Sequence, residues 1–278
     1  MPELPEVETV RRGLADRLNS FEIKEIEVCR ARAIASPGGV DQFVAGLTGA
    51  TVGAWSRRGK YLMSQLEPNR GSWGVHLRMT GQFQWHAKPA PPCNHTRVRF
   101  WNQSNEELRF VDVRSFGEMW WVPEGDDLDT VMTGLKRLGP EPFSDAFTGA
   151  YLKQRLKGST RPIKTALLDQ SLVAGVGNIY ADESLFAAGI PPLTASGKLS
   201  IEQLVRLRDE LINVLNISIG VGGTTFSDFR DLEGVNGNYG GQSWVYRRSG
   251  QPCRRCGTPI SREKLSGRST HWCPNCQR

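Results

Sequence analysis

The sequence has no hydrophobic run approaching the roughly 20 residues that a membrane-spanning helix needs. Its first part also lacks the apolar block of a secretory signal, because acidic side chains interrupt it. We therefore expect a cytoplasmic protein that makes no contact with a membrane. The 278 residues, of which 38% are hydrophobic, are enough for two domains with buried cores.

Acidic residues are almost absent from the end of the chain. Residues 241–278 contain eight Arg or Lys and one acidic residue, Glu263, whereas the first 240 residues contain 27 basic and 28 acidic side chains. The net charge of +6 therefore belongs to the C-terminal segment. A local excess of positive charge favours a polyanionic partner.

Cysteine is scarce, but four of the six cysteines form two matched pairs. Each pair encloses two residues and sixteen residues separate the pairs: Cys253 with Cys256, and Cys273 with Cys276. This spacing predicts one structural Zn²⁺ with four thiolate ligands, and disulfides are the poorer alternative without a secretory signal. A closed site has no position for a substrate, so the chemistry must lie elsewhere, and we expect no organic cofactor. The other two cysteines are expected to be buried or inert: Cys29 and Cys93.

Hydrophobic periodicity predicts the elements of the remaining chain. Apolar residues at helical spacing predict a leading helix: Leu4, Val7, Val10, Leu14 and Leu18. Alternation with a period of two predicts the strands of a β-sandwich or barrel, at residues 51–66, 73–86, 96–101 and 108–122. Helical spacing follows from Asp126, at residues 144–157, 162–170, 178–188 and 200–217.

We therefore predict an α+β multidomain protein with four segments. Residues 1–125 form an N-terminal β-sandwich with its leading helix, and residues 126–219 form a helical domain. Residues 220–243 form a glycine-rich loop, and residues 244–278 form the zinc module.

Two glycine-rich stretches leave alternatives open. Residues 173–178 predict a turn into a helix that Asn178 caps, with N–H groups that suit a phosphate, although many such turns only reverse the chain. Residues 220–241 contain seven glycines, too many for a packed element. They form either a mobile loop that closes over a ligand or a disordered linker to the zinc module.

Pro2 follows the initiator Met, and its small side chain favours removal of Met1. The α-amino group that remains titrates near about 8, so roughly a tenth of it is neutral at pH 7. A secondary amine that condenses with a sugar aldehyde gives an iminium, which is a strong electron sink. Glu3 is the adjacent acid. Because prolines at this position are often inert, the amine alone does not establish catalysis.

Six motifs in order closely resemble the bacterial formamidopyrimidine-DNA glycosylases over nearly the whole chain. They are residues 2–9, 57–62, 76–81, 112–117 and 175–180, followed by the zinc module. The resemblance implies a bifunctional enzyme that removes oxidised purines, such as 8-oxoguanine and formamidopyrimidines, from double-stranded DNA and nicks the abasic strand by β,δ-elimination. It also implies an N-terminal β-sandwich, a helical domain with a helix-two-turn-helix, and a β-hairpin zinc finger. We expect a monomer.

The resemblance also implies residue roles. Pro2 is the nucleophile at C1′, Glu3 is the acid-base residue, Lys60 assists β-elimination, and Arg268 serves δ-elimination and phosphate binding. The implied DNA contacts are His76, His95, Arg114, Arg161, Lys164 and Asn178. The implied fillers of the gap left by the extruded base are Met79, Arg114 and Phe116, although the core of the sandwich is the alternative position for Met79 and Phe116. The implied lesion loop includes Gly223, Thr224, Thr225 and Tyr239.

The sequence departs from the family pattern at two places, and three other functions compete. Residues 158–161 are less basic than in many relatives, and residues 237–240 are richer in glycine. An endonuclease VIII type, which prefers oxidised pyrimidines, is disfavoured by Leu4 and by the Arg114-x-Phe116 pair. A non-catalytic zinc-finger DNA-binding protein has no need of Pro2 and Glu3. A small-molecule tautomerase would leave the zinc module unexplained.

An uncleaved tag in front of Pro2 tests the proposed nucleophile. The tag converts the amine into an amide that cannot form an iminium, so we expect strand nicking to be abolished while DNA binding persists. Both are measured on one preparation, by a nicking gel and a mobility shift, with the cleaved protein as the control. Full nicking by the tagged protein would remove Pro2 as the nucleophile.

Overall fold

The computed structural model describes residues 2–88, 90–225 and 230–278. The chain forms two compact units, Met1–Lys136 with Gly222–Asn238, and Arg137–Val221 with Tyr239–Arg278. Among the described residues, every helix is too short or too polar to cross a membrane. The predicted α+β class is confirmed, whereas the division into four segments stays a prediction.

The first unit is a β-sandwich behind a leading helix. Helix α1 spans Leu4–Arg17, and the other helices of the unit are α2, Gly39–Leu47, and α3, Leu128–Val131. The strands are β1 Glu25–Val28, β2 Thr51–Arg58, β3 Tyr61–Glu67, β4 Ser72–His76, β5 Gly81–His86, β6 Thr96–Trp101, β7 Glu107–Asp112 and β8 Glu118–Val122. They form two antiparallel sheets, in the orders β1-β6-β7-β5 and β2-β3-β4-β8.

One hydrophobic core joins the two sheets and α1. The Trp73 ring of one sheet lies 4.6 Å from the Phe100 ring of the other, measured between ring centroids. Helix α1 buries its predicted apolar stripe in the same core. Helix α2 was not predicted, because two of its nine residues are glycines, Gly39 and Gly46, and a third glycine, Gly38, precedes it, which gives the segment a low helix propensity. It packs closely at Gly46, where a Cβ would lie 2.3 Å from the Trp121 ring.

The second unit combines helices with a two-stranded hairpin. Its helices are α4 Gly149–Arg155, α5 Ile163–Leu167, α6 Asn178–Ala187 and α7 Ile201–Gly220, and its strands are β9 Ser261–Leu265 and β10 Arg268–Trp272. Helix α6 is buried along most of its length and packs against α7 and β10. The predicted cap at Asn178 is wrong, because Gly177 is the N-cap and Asn178 is the first helical residue.

Part of the glycine-rich segment, Gly222–Asn238, belongs to the first unit. Leu232 is 3% exposed and lies against α1 at Gly13. Its carbonyl accepts a hydrogen bond from the Trp85 N–H at 3.1 Å, and Glu233 pairs with Arg17 at 2.7 Å. These contacts favour a packed loop over a disordered linker at Leu232 and Glu233, and the choice for the whole segment stays a prediction. Residues 226–229 lie outside the described part.

A buried ion cluster stabilises the outer face of the β1-β6-β7-β5 sheet. The Glu107 carboxylate is buried and accepts hydrogen bonds from Arg109 at 2.6 Å and Arg99 at 2.8 Å. Burial by itself raises the pKa of Glu107, but the hydrogen bonds and charges of Arg109 and Arg99 outweigh it and lower the pKa to about 2. The carboxylate is therefore ionised at any pH near neutrality.

Replacement of Glu107 tests this cluster. We expect Glu107→Gln to lower the free energy of unfolding by about 3–5 kcal/mol at pH 7, because it leaves the buried Arg109 guanidinium without its counter-charge and leaves Arg99 with only the exposed Glu27, at 2.9 Å. The folded pKa lies below the unfolded value of about 4.3, so the stabilisation is complete above about pH 4.3 and is lost as the pH falls towards the folded pKa. Urea unfolding at pH 7 and pH 3 should show the gap between wild type and variant closing. The exposed Glu124→Gln is the control, and a gap that stays constant with pH would contradict this account.

Candidate active site

The first turn of α1 fixes the position of Pro2. Glu3 and Glu6 form a reciprocal capping box, in which the Glu3 N–H donates to the Glu6 carboxylate at 2.8 Å and the Glu3 side chain accepts from the Glu6 N–H. The same Glu6 carboxylate accepts the Thr224 N–H at 2.7 Å. Pro2, Glu3 and Glu6 are all buried. The predicted nucleophile and its acid therefore lie at a rigid helix start, beside the base of the glycine-rich segment.

Lys60 lies in the two-residue connection between β2 and β3. Its side chain is 8% exposed, and the preceding Gly59 has a positive φ of 57°. Burial and the positive charges of Arg78 and Lys60 lower the pKa of His76 to about 3, so His76 is neutral at pH 7. The His76 Nδ1 accepts the Arg78 N–H at 3.0 Å, which leaves the proton on Nε2. As a DNA contact, His76 would be a neutral hydrogen-bond donor.

The predicted gap-filling residues lie on two neighbouring loops of the sandwich, residues 77–80 and 113–117. The buried Asp112 joins the loops, because it bonds the Thr80 hydroxyl of one loop and accepts the Arg114 and Gly117 N–H groups of the other at 3.1 and 2.7 Å. Phe116 is 43% exposed, and the Arg114 guanidinium lies 4.8 Å from the centre of its ring. Met79 is half-buried. The core alternative is therefore wrong for Phe116.

The remaining predicted contact of the first unit lies beside the same loops. His95 is exposed, and its carbonyl accepts the Asp112 N–H at 2.9 Å. This hydrogen bond joins the segment that carries His95 to the end of β7, whose last residue is Asp112.

In the second unit, two predicted DNA contacts are directed at the zinc hairpin. Lys164 is 1% exposed, and its amine bonds Asp182 at 2.7 Å, the Ser269 carbonyl at 2.7 Å and the Thr270 hydroxyl at 2.9 Å. The Asn178 amide donates to the same Ser269 carbonyl at 2.9 Å. Both side chains therefore orient β10, the strand that begins at Arg268. Direct phosphate contacts by Lys164 and Asn178 stay predictions.

The two predicted arginine contacts of this unit are on its surface. Arg268 and Arg161 are exposed, and Arg161 pairs with Asp169 at 3.0 Å. Sequence reasoning missed Asp182, whose carboxylate also accepts the His271 N–H at 2.9 Å. The available signal was a pair of acidic residues, Asp182 and Glu183, in a helix that has no other charged residue.

The predicted lesion-loop residues divide between the two units. Gly223, Thr224 and Thr225 lie in the first unit, where the Thr224 N–H is bonded to Glu6. Tyr239 is buried in the second unit, and its hydroxyl donates to Glu183 at 3.4 Å. Burial and the Glu183 charge raise the pKa of Tyr239, so the hydroxyl keeps its proton. A role for these residues in reading a base stays a prediction.

The four paired cysteines converge as a metal site requires. All four Sγ atoms lie within 4.8 Å of one another, with Cys256 to Cys273 at 3.5 Å and Cys253 to Cys276 at 3.9 Å. A zinc tetrahedron with bonds of about 2.3 Å has sulfur–sulfur edges of about 3.8 Å. Backbone N–H groups donate to the Cys253 and Cys273 sulfurs at 3.4 Å. The residues fit a structural zinc ion, as predicted.

The two remaining cysteines are not buried. Cys29 and Cys93 are both exposed, so the expectation of burial was wrong. Burial by itself raises the pKa of Cys93, but hydrogen bonds from the Thr96 hydroxyl and from the backbone of His95 and Thr96 lower it overall.

The chain matches three family profiles in order. Residues 1–119 match the formamidopyrimidine-DNA glycosylase N-terminal domain, residues 138–230 match the H2TH domain of the same family, and residues 250–278 match the zinc finger found in FPG and IleRS. The chain is 76% identical to a formamidopyrimidine-DNA glycosylase of Parasynechococcus marenigrum and 67% identical to one of Prochlorococcus marinus, with 100% of each chain covered.

Solved structures give the same result. The Lactococcus lactis protein bound to Fapy-dG containing DNA has a TM-score of 0.89 at 35% identity, covering 99% of this chain and 100% of that one. The wild-type Lactococcus lactis protein bound to DNA with an oxidised pyrimidine has a TM-score of 0.90 at 36% identity, covering 100% of both chains.

Loss of zinc tests the role of the hairpin. We expect Cys256→Ser to reduce the zinc content and weaken DNA binding, because the hairpin that carries Arg268 loses its fixed geometry. The first unit should stay folded, and near-UV circular dichroism reports it, since six of the eight tryptophans precede residue 137. Cys29→Ser is the matched control and should keep one zinc per chain. Full zinc content or unchanged DNA affinity in Cys256→Ser would contradict the assignment.

Proposed function

The chain belongs to the formamidopyrimidine-DNA glycosylase family, and on that premise we propose that it excises oxidised purines from double-stranded DNA and then nicks the strand. The observation that carries the proposal is the buried start of α1, where Pro2 and Glu3 are fixed by the capping box. A DNA-binding module has no use for a rigid amine beside a buried acid.

The proposed chemistry begins at the Pro2 nitrogen. Removal of Met1 exposes the secondary amine, which bonds to C1′ of the damaged nucleotide while the bond from C1′ to the base breaks. Glu3 moves protons at the sugar as it opens, and the product is an iminium on Pro2. The iminium acidifies the C2′ proton, so β-elimination expels the 3′ phosphate, and Lys60 assists this step. Arg268 serves the following δ-elimination and binds phosphate.

The proposed engagement of DNA requires extrusion of the damaged base, which costs a few kcal/mol. The exposed loop tips with Met79, Arg114 and Phe116 have the size and polarity to fill the vacated space. The stacking of Arg114 on Phe116 stiffens this wedge, since a guanidinium over an aromatic face is attracted to it. Zinc, when bound, supplies a fixed hairpin geometry and no reaction step. We propose that the enzyme acts as a monomer in the cytoplasm, on damaged duplex DNA.

Oxidised pyrimidines are the second candidate substrate class. The observation in their favour is the Lactococcus lactis relative, which was crystallised with DNA containing an oxidised pyrimidine. Purines are favoured by Leu4 and by the Arg114-x-Phe116 pair, which match the branch of the family that acts on oxidised purines.

Borohydride trapping decides between these functions. We expect a covalent adduct on Pro2 with duplexes containing 8-oxoguanine or dihydrouracil, stronger with 8-oxoguanine, and none with undamaged DNA, because only an opened sugar forms a reducible iminium. Mass mapping locates the adduct, and a protein with a blocked amine is the control. Stronger trapping on dihydrouracil would move the substrate preference to pyrimidines. No adduct on any duplex would leave the non-catalytic DNA-binding function.

A further inference from the structure

Arg57 lies at the end of β2, next to the connection that carries Lys60. We propose that Arg57 is a positioning residue, which is fixed by Glu8 of α1 and which orients Lys60 through the Gly59 carbonyl. The inference rests on the proposed role of Lys60 in elimination.

The Glu8 carboxylate gathers three guanidinium groups on one side of α1. It accepts hydrogen bonds from Arg11 at 2.9 Å, Arg12 at 3.0 Å and Arg57 at 3.3 Å. The Arg57 and Glu8 side chains are 10% and 13% exposed, so their pairing is shielded from water and salt far better than a surface ion pair. Arg12 is more than half exposed and is therefore the weaker partner.

A different nitrogen of Arg57 reaches the backbone of the connection. The Arg57 Nε bonds Glu8, while its Nη1 donates to the Gly59 carbonyl at 3.0 Å. That carbonyl belongs to the peptide plane that leads into Lys60. The fork of the guanidinium thus joins a helix carboxylate to the peptide group that sets the direction of Lys60.

The connection is a tight turn of two residues. Gly59 and Lys60 join strands β2 and β3, with Gly59 in the left-handed region. A glycine permits many backbone conformations, so an external hydrogen bond to its carbonyl narrows them. The Glu8 helix is also the helix that begins beside Pro2. The Glu8–Arg57 pair therefore fixes the connection that carries Lys60 relative to α1, the helix that begins beside Pro2.

A lysine cannot replace Arg57 in this arrangement. Its ammonium is a single point charge, and it cannot reach the carboxylate and the carbonyl in the same fixed geometry. Arg57→Lys keeps the charge beside Glu8 and so preserves the pairing that packs β2 on α1. It removes the hydrogen bond that orients the Gly59 peptide.

The test is a double-mutant cycle between Arg57 and Lys60. Nicking of a preformed abasic site is measured under single-turnover conditions for wild type, Arg57→Lys, Arg57→Ala, Lys60→Ala and the double variant with both alanines. We expect each Arg57 variant to slow nicking by about 10- to 100-fold, because misplacement by an ångström has effects of that size. In the Lys60→Ala background, Arg57→Ala should cause no further loss, since a residue that acts through Lys60 has nothing left to position.

Arg12→Ala is the matched control, because Arg12 binds the same Glu8 carboxylate but has no hydrogen bond to Gly59. It should nick at the wild-type rate. The Tm of each variant separates misfolding from misplacement, and Arg57→Lys covers the case in which Arg57→Ala fails to fold.

Three outcomes would overturn the inference. Nicking at the wild-type rate by folded Arg57→Lys would show that Arg57 has no positioning role. The same conclusion would follow if Arg57→Ala slowed nicking by the same factor in the Lys60→Ala background as in the wild type. Wild-type nicking by Lys60→Ala would show that Lys60 has no part in elimination. The Pro2 adduct is scored separately in the wild type, so failure of the proposed function is distinguishable from failure of the positioning role.

Discussion

The candidate active site depends on the two backbone hydrogen bonds that the Glu6 carboxylate accepts. The carboxylate is buried, and it accepts the N–H of Glu3 in the capping box and the N–H of Thr224 in the glycine-rich segment. A helix start with unsatisfied N–H groups frays, and a frayed start would leave Pro2 without a fixed position. Gly223 fits against this carboxylate because it lacks a Cβ, which would lie 2.9 Å from Glu6 Oε1. One side chain therefore sets both the helix start and the base of the adjacent loop.

Two other buried carboxylates, Asp112 and Glu183, also accept backbone N–H groups and so fix the conformation of a loop. Asp112 accepts two N–H groups of the 113–117 loop, and Glu183 accepts the N–H groups of Trp244, Val245 and Tyr246 at 2.8–2.9 Å. A buried carboxylate is costly unless it is hydrogen-bonded, so each of these loops has one conformation in which the carboxylate is satisfied. The carboxylates thereby help to give these loop segments defined positions.

Sequence reasoning identified the elements and ligands that local pattern determines. The apolar stripe of α1 and the spacing of the four cysteines depend on near neighbours, and both were confirmed. It missed α2, whose glycines oppose helix formation until Trp121 packs against it. It also could not show that Lys164 contacts Ser269, because that bond joins residues 105 positions apart. Contacts between residues so far apart in sequence depend on the tertiary fold, and the periodicity of hydrophobic residues does not predict them.

The predicted DNA contacts differ in how they would act on a phosphate. His95, Arg114, Arg161 and Arg268 are exposed, and Arg161 is also paired with Asp169 at 3.0 Å. Each arginine that binds a phosphate would displace counterions. Lys164 is buried, and its charge is paired with Asp182. A paired buried cation adds little to the long-range attraction of DNA, but it fixes the strand from which Arg268 projects. We therefore expect the exposed arginines to determine the strength of attraction to DNA, and the buried network to determine where one of them, Arg268, is placed.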